Sequence, residues 1–279
     1  MKPAKRARAA VAVIAGTRRS YLVPLLSGLV ALSWLTLWIW EQSPYGRFLD
    51  HGRWTEIGLA ASLCSVLPAG PVVLPGLLYV GGWLLMSSAM MLPTALPLLG
   101  IFDRLTVERP DRRRLVALVI TGYLLVWGLF GLLVHLLDGA LHVAIAGNPW
   151  LAFNGWIVGA LVLAAAGAFQ FSALKYHCLD KCRTPLSFVI EHWRGHAARR
   201  QALLLGLHHG LFCVGCCWAI MLLLFVVGAG SVGWMLALGA VMAVEKNAPW
   251  GQRLSTPLGI GLFIWAATIL VRNTAAWAA

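Results

Sequence analysis

The chain has 279 residues, 60% of them hydrophobic and only 11% charged, and its mean hydropathy is +0.79. So little polar surface excludes a soluble domain of this size and points to an integral membrane protein. The formal charge of +12 does not indicate a nucleic-acid partner. The basic residues fall in short clusters between apolar runs, where they orient spans in a bilayer.

Apolar runs near 20 residues long, without strand-like alternation, predict helices. The expected fold is all-α, a polytopic transmembrane helix bundle of about seven spans. Residues 1–19 read as a basic cytosolic segment carrying Lys2, Lys5, Arg6, Arg8, Arg18 and Arg19, and 20–279 as a single transmembrane domain. The first span is YLVPLLSGLVALSWLTLWIW (21–40). It reads as an uncleaved anchor, because a signal peptide has a shorter apolar core and a small-residue cleavage site. Segment 57–74 holds Pro68 and Pro71 and is expected to be re-entrant or interfacial. The next span, 76–102, contains Pro93 and Pro97, which are expected to end or kink it and free backbone carbonyls. Further spans are expected at 115–137, about 152–174, 202–228, 233–245 and 257–271, the sixth being short for a full crossing. With the N-terminus inside, 19 of the 22 Lys and Arg lie on cytosolic segments and the C-terminus is outside. An extra span at 57–74 would put the run RPDRRR (109–114) on the wrong side. The expected location is the cell inner membrane.

Chemistry concentrates in HHGLFCVGCCW (208–218). On a helix, His209, Cys213, Cys216 and Cys217 follow i, i+4, i+7, i+8 and share one face, at about mid-depth of their span, with His208 roughly a quarter turn away. A lone cysteine in such a helix is packing, but three on one face above a histidine suggest a site. Thiolate and imidazole together suit Cu(I) first and Zn(II) second. In WLLMSSAMMLP (83–93), Met86 and Met90 are one turn apart, and soft thioethers at the same depth favour Cu(I). Taken alone, they read as core filler. KYHCLDKCRTP (175–185) offers His177, Cys178 and Cys182 as a second, exposed thiol site, with Lys175, Lys181 and Arg183 favouring thiolates. Incidental cysteines in a basic interfacial loop are the alternative.

Other polar groups carry less. His135, Asp138 and His142 mark an outer helix end, either a vestibule or merely solvated. Glu245 and Lys246 close the sixth span, interfacial unless Glu245 turns inward with Met242. His192 and His196 lie in a basic amphipathic stretch expected to rest on anionic lipid. No motif for ATP hydrolysis or proteolysis is present.

The pieces WLLMSSAMMLP (83–93), ALKYHCLDKCRTPLSF (173–188), HHGLFCVGCCWAIM (208–221) and EKNAPWG (245–251) resemble a family of bacterial integral membrane proteins described as predicted metal-binding, domain-of-unknown-function family 2182. The resemblance implies a metal site at His209, Cys213, Cys216 and Cys217 and a copper-chaperone-like role.

Three functions compete. The first is a Cu(I)-handling chaperone, carrier or transporter, more in keeping with the sequence than an enzyme, with the metal ion, membrane lipid and a metal-donor or acceptor protein as partners. The second is a membrane thiol-disulfide oxidoreductase coupled to quinone, although such enzymes place their cysteines at the outer surface. The third is a structural or assembly subunit with cysteines as packing.

Overall fold

The computed structural model describes residues 22–43, 73–228 and 231–278. The expectations for residues 1–19 and for nearly all of 57–74 lie outside them. The described residues form eleven α-helices and one 3-10 turn, with no strand among them. In chain order these are α1 (Leu22–Glu41), α2 (Val73–Leu105), α3 (Arg112–Ala146), α4 (Pro149–Phe153), α5 (Trp156–Phe169), α6 (Ala173–Arg183), α7 (Pro185–His192), α8 (Ala198–Leu222), α9 (Leu224–Val227) and α10 (Val232–Asn247). The 3-10 turn Gly251–Leu254 then leads into α11 (Ser255–Ala278).

The all-α bundle is as expected. Five stretches are long and apolar enough to cross a membrane: Leu22–Glu41, Leu78–Leu105, Arg112–Ile145, Ala198–Val227 and Gly251–Thr274. A sixth consists of α5 and α6 together, bent by 63° at their junction. The stretch expected at 233–245 is helical, but α10 has 16 residues. At 1.5 Å per residue that is about 24 Å, less than the ~30 Å of a hydrocarbon core. Pro93 and Pro97 do not end α2, which continues to Leu105.

Glycines bring the central helices together. Gly206 and Gly210 stand one turn apart on α8, in a GxxxG pattern that admits close backbone approach. A Cβ at Gly206 would run into the Val119 carbonyl, and one at Gly210 would meet Val126 Cβ at 2.9 Å. From the other side, a Cβ at Gly122 would lie 2.5 Å from the Leu203 carbonyl oxygen. The α3–α8 pair is accordingly the most extensive helix contact in the bundle. On α2, Trp83 lies over Gly131 of α3 and donates its indole N–H to the Trp127 carbonyl at 2.9 Å.

The helices do not share one length. α2 and α3 have 33 and 35 residues, about 50 Å each, whereas α5 and α10 stop short. The stops are tied together at one level. Lys175 of α6 donates to Glu245 Oε1 at 2.6 Å and to Gln170 Oε1, and the Ser255 hydroxyl reaches Glu245 Oε1 at 2.8 Å. Arg183 covers the end of α10, donating to the carbonyls of Glu245 (2.5 Å) and Pro249 (2.9 Å). Glu245 therefore turns inward, and it does so as a fully paired ion.

The exposed large apolar side chains of α3 begin at Leu125 and end at Val143, a belt of about 27 Å that matches a hydrocarbon core. Past Leu125, α3 continues for 13 residues to Arg112, whose guanidinium grips the fully buried Asp103 carboxylate across the α2–α3 turn. The bundle thus has an apolar belt and a basic extension of α2, α3 and α8, against which α7 packs.

Candidate metal centre

The site lies where belt and extension meet. Helix α8 presents His209, Cys213, Cys216 and Cys217 to the interior, and all four are buried, the thiols at 1% exposure. The face predicted from the spacing is real. Its level differs from the expected mid-depth: Cys213 Sγ lies 2.9 Å from the Tyr123 hydroxyl, and Tyr123 sits just past the Leu125 edge of the belt. The thiols hang at the margin of the apolar belt, with Cys216 and Cys217 about one turn further in.

The short helix α6 lies across α8 at this level. Cys178 packs on Gly215, whose missing side chain makes the room: a Cβ there would stand 2.6 Å from Cys178 Sγ. One turn on, Cys182 Sγ is 3.9 Å from Cys216 Sγ. Cys216 Sγ is in turn 3.4 Å from Cys217 Sγ and 3.2 Å from the Cys213 carbonyl oxygen. Cys217 and Cys213 are hydrogen-bond neighbours. The two thiol groups that look separate in the sequence are therefore one continuous run, Cys182–Cys216–Cys217–Cys213. Its outer member is partly exposed and the rest are buried; all are free thiols.

The far end of the run holds a residue that sequence reasoning missed in this role. Lys246, at 5% exposure, directs its ammonium to Cys213 Sγ at 2.9 Å, Thr94 Oγ1 at 3.3 Å and Met91 Sδ at 3.9 Å. The Tyr123 hydroxyl also donates to the Met91 carbonyl at 3.2 Å. The available signals were a lysine at the end of an apolar helix and a tyrosine hydroxyl inside an apolar run. Neither indicates its partner, because helices α2, α3, α8 and α10 converge only in three dimensions.

The remaining candidates are distributed as follows. The His209 ring stacks on Tyr123 (5.7 Å between centroids) and meets the edge of Phe188 (5.6 Å), and its buried Nδ1 has no hydrogen-bond partner. An orphaned imidazole nitrogen one ring away from Cys213 suits a ligand. Met90 is buried against Gly239 of α10 at 3.6 Å, and Met86 is buried in the same core. The thioether at the lysine–thiol pair is that of Met91. His177 of α6 turns its ring to Phe212 of α8, 6.1 Å away. His192 does not rest on a surface as expected: it stacks on Phe188 at 4.3 Å and faces His208 at 5.0 Å, whereas His196 is exposed. On α3, Asp138 holds His142 at 3.5 Å, and His135 stacks on Tyr79.

Among the described residues, no three His, Cys, Asp or Glu side chains surround one point as a ready ligand set. The arrangement instead offers successive sulfur pairs. Pairs of soft thiols suit Cu(I), which accepts as few as two such ligands, better than Zn(II), whose structural sites are tetrahedral.

No curated protein and no solved structure matches the chain. A family model described as copper chaperone (PpoB2) matches residues 80–269, which takes in α3 to α10 whole and nearly all of α2 and α11. The thiol run, Tyr123 and Lys246 all fall within that match, and the chain belongs to this copper chaperone family.

Proposed function

We propose that the protein binds Cu(I) on its buried thiols and passes it along them by ligand exchange, as a membrane-embedded chaperone or carrier. The observation that carries this reading is the unbroken sulfur run from the partly exposed Cys182 to the buried Cys213. A Cu(I) ion held by two thiolates moves one step when a neighbouring sulfur bonds to it and the rear sulfur leaves. Neither copper nor sulfur changes oxidation state. Each incoming thiol gives up its proton, and the departing thiolate takes one back. His209, Met86 and Met90 are the further donors proposed to complete the inner site, with His177 and Cys178 beside its entrance.

The apolar belt supports insertion in a bilayer, and the basic ends of α2, α3 and α8 support a cytosolic entrance. Copper would then be received on the cytosolic side of the inner membrane from a donor, or returned to an acceptor, with Cys182 as the exchange point.

Elemental analysis of the purified protein after anaerobic loading with Cu(I) tests the reading. The wild type is expected to retain copper, and the Cys213→Ser/Cys216→Ser/Cys217→Ser variant to lose it. Unchanged copper content in that variant would make the cysteines packing residues and refute the site.

A further inference from the structure

We infer that Lys246 determines the charge of the ion this site accepts, acting as a fixed internal cation that favours a monovalent over a divalent metal. The inference rests on the copper-site reading above and adds the basis of selectivity.

Three features lead to it. First, Lys246 is buried, and its Nζ has three neighbours with lone pairs: Cys213 Sγ, Thr94 Oγ1 and Met91 Sδ. An ammonium has three N–H donors and no acceptor, so this surround is built for the charged form. Second, the lysine is not required to hold α10 in place. Glu245, next to it in the chain, already ties that helix to Lys175 and Ser255, and Arg183 caps its end. Third, the carboxylate nearby in sequence is engaged elsewhere, since Glu245 pairs with Lys175 at 2.6 Å. The group that Lys246 faces is a thiol.

Charge then decides the ion. Two thiolates, one Cu(I) and one ammonium sum to zero. A divalent ion on the same two thiolates leaves one positive charge without a partner. In a buried, low-dielectric site an unpaired charge is costly, whereas a neutral set is tolerated. A third thiolate would restore neutrality for a divalent ion, but no triad of ligands surrounds one point among the described residues. Cys216, the nearest further thiol, points its sulfur to the Cys213 carbonyl and to Cys182.

Removing the charge should therefore invert the preference. In K246M the pair of thiolates with Cu(I) is left negative, and the same pair with Zn(II) becomes neutral. The test is competition titration of the full-length, detergent-solubilised protein with Cu(I) and separately with Zn(II), for wild type, K246M, K246Q and K246R. The Cu(I)-to-Zn(II) affinity ratio is expected to fall on the order of a hundredfold or more in K246M and K246Q, the scale of stripping a buried charge of its partner. In K246R it should stay near the wild-type value. K246Q keeps N–H donors for Thr94 and Cys213 without the charge, so it carries the test if K246M does not fold. An unchanged ratio in the neutral variants overturns the inference, as does a ratio in K246R as low as in K246Q. Equal loss of both metals with the ratio preserved also overturns it, and assigns Lys246 to structure. A wild type that binds no Cu(I) refutes the copper site itself, which is a separate result.

Discussion

Gly122→Ala probes the close crossing of α3 and α8 that puts Tyr123 beside Cys213. The new Cβ would stand 2.5 Å from the Leu203 carbonyl oxygen and 2.9 Å from the Leu207 nitrogen, backbone atoms that no rotamer change can move. Restoring ordinary contact at 3.4 Å parts the helices by about 0.9 Å. Overpacking of this kind costs about 1–3 kcal/mol, while alanine recovers about 1 kcal/mol of helix propensity over glycine. The net loss is about 0–2 kcal/mol, too small for a melting temperature alone to diagnose. Coupling to the site is the sharper measure. The separation stretches the Tyr123–Cys213 contact from 2.9 Å to about 3.8 Å, beyond hydrogen-bond reach. Tyr123→Phe should then cost about 1 kcal/mol in the wild type and almost nothing in the Gly122→Ala background. Unfolding of the four proteins of this cycle by SDS titration in mixed micelles measures the coupling, expected near 1 kcal/mol. Strict additivity, with a coupling below about 0.3 kcal/mol, would show that the glycine crossing does not position Tyr123.

Two further outcomes follow from the same geometry. Replacing Cys178 and Cys182 together by serine should slow copper loading from a Cu(I) chelate while leaving the final stoichiometry intact, because Cys213, Cys216 and Cys217 remain; complete loss of bound copper would place the site on α6. A cysteine introduced at Arg112 should resist a membrane-impermeant thiol reagent in intact cells and react after lysis. Labelling from outside would reverse the proposed orientation.

Composition by itself determined the class. A chain this apolar must satisfy its backbone within helices, and the seven apolar segments within the described residues are helical in the structure. Helical periodicity likewise determined that His209, Cys213, Cys216 and Cys217 share a face, since a turn of 3.6 residues is a local property of the backbone. How far each helix reaches was not legible, because a stop at the site level depends on partners. α10 stops where Glu245 meets Lys175 and Ser255, residues 70 and 10 positions away. The same limit hid the site's composition. Cys182 lies 34 positions from Cys216 and Lys246 lies 33 from Cys213, yet each pair is in contact. Tertiary structure alone made those contacts, through glycines at 122, 206, 210 and 215 that let α3, α8 and α6 approach. A glycine in a sequence records the absence of a side chain, and which neighbour fills the space is settled only when the helices pack.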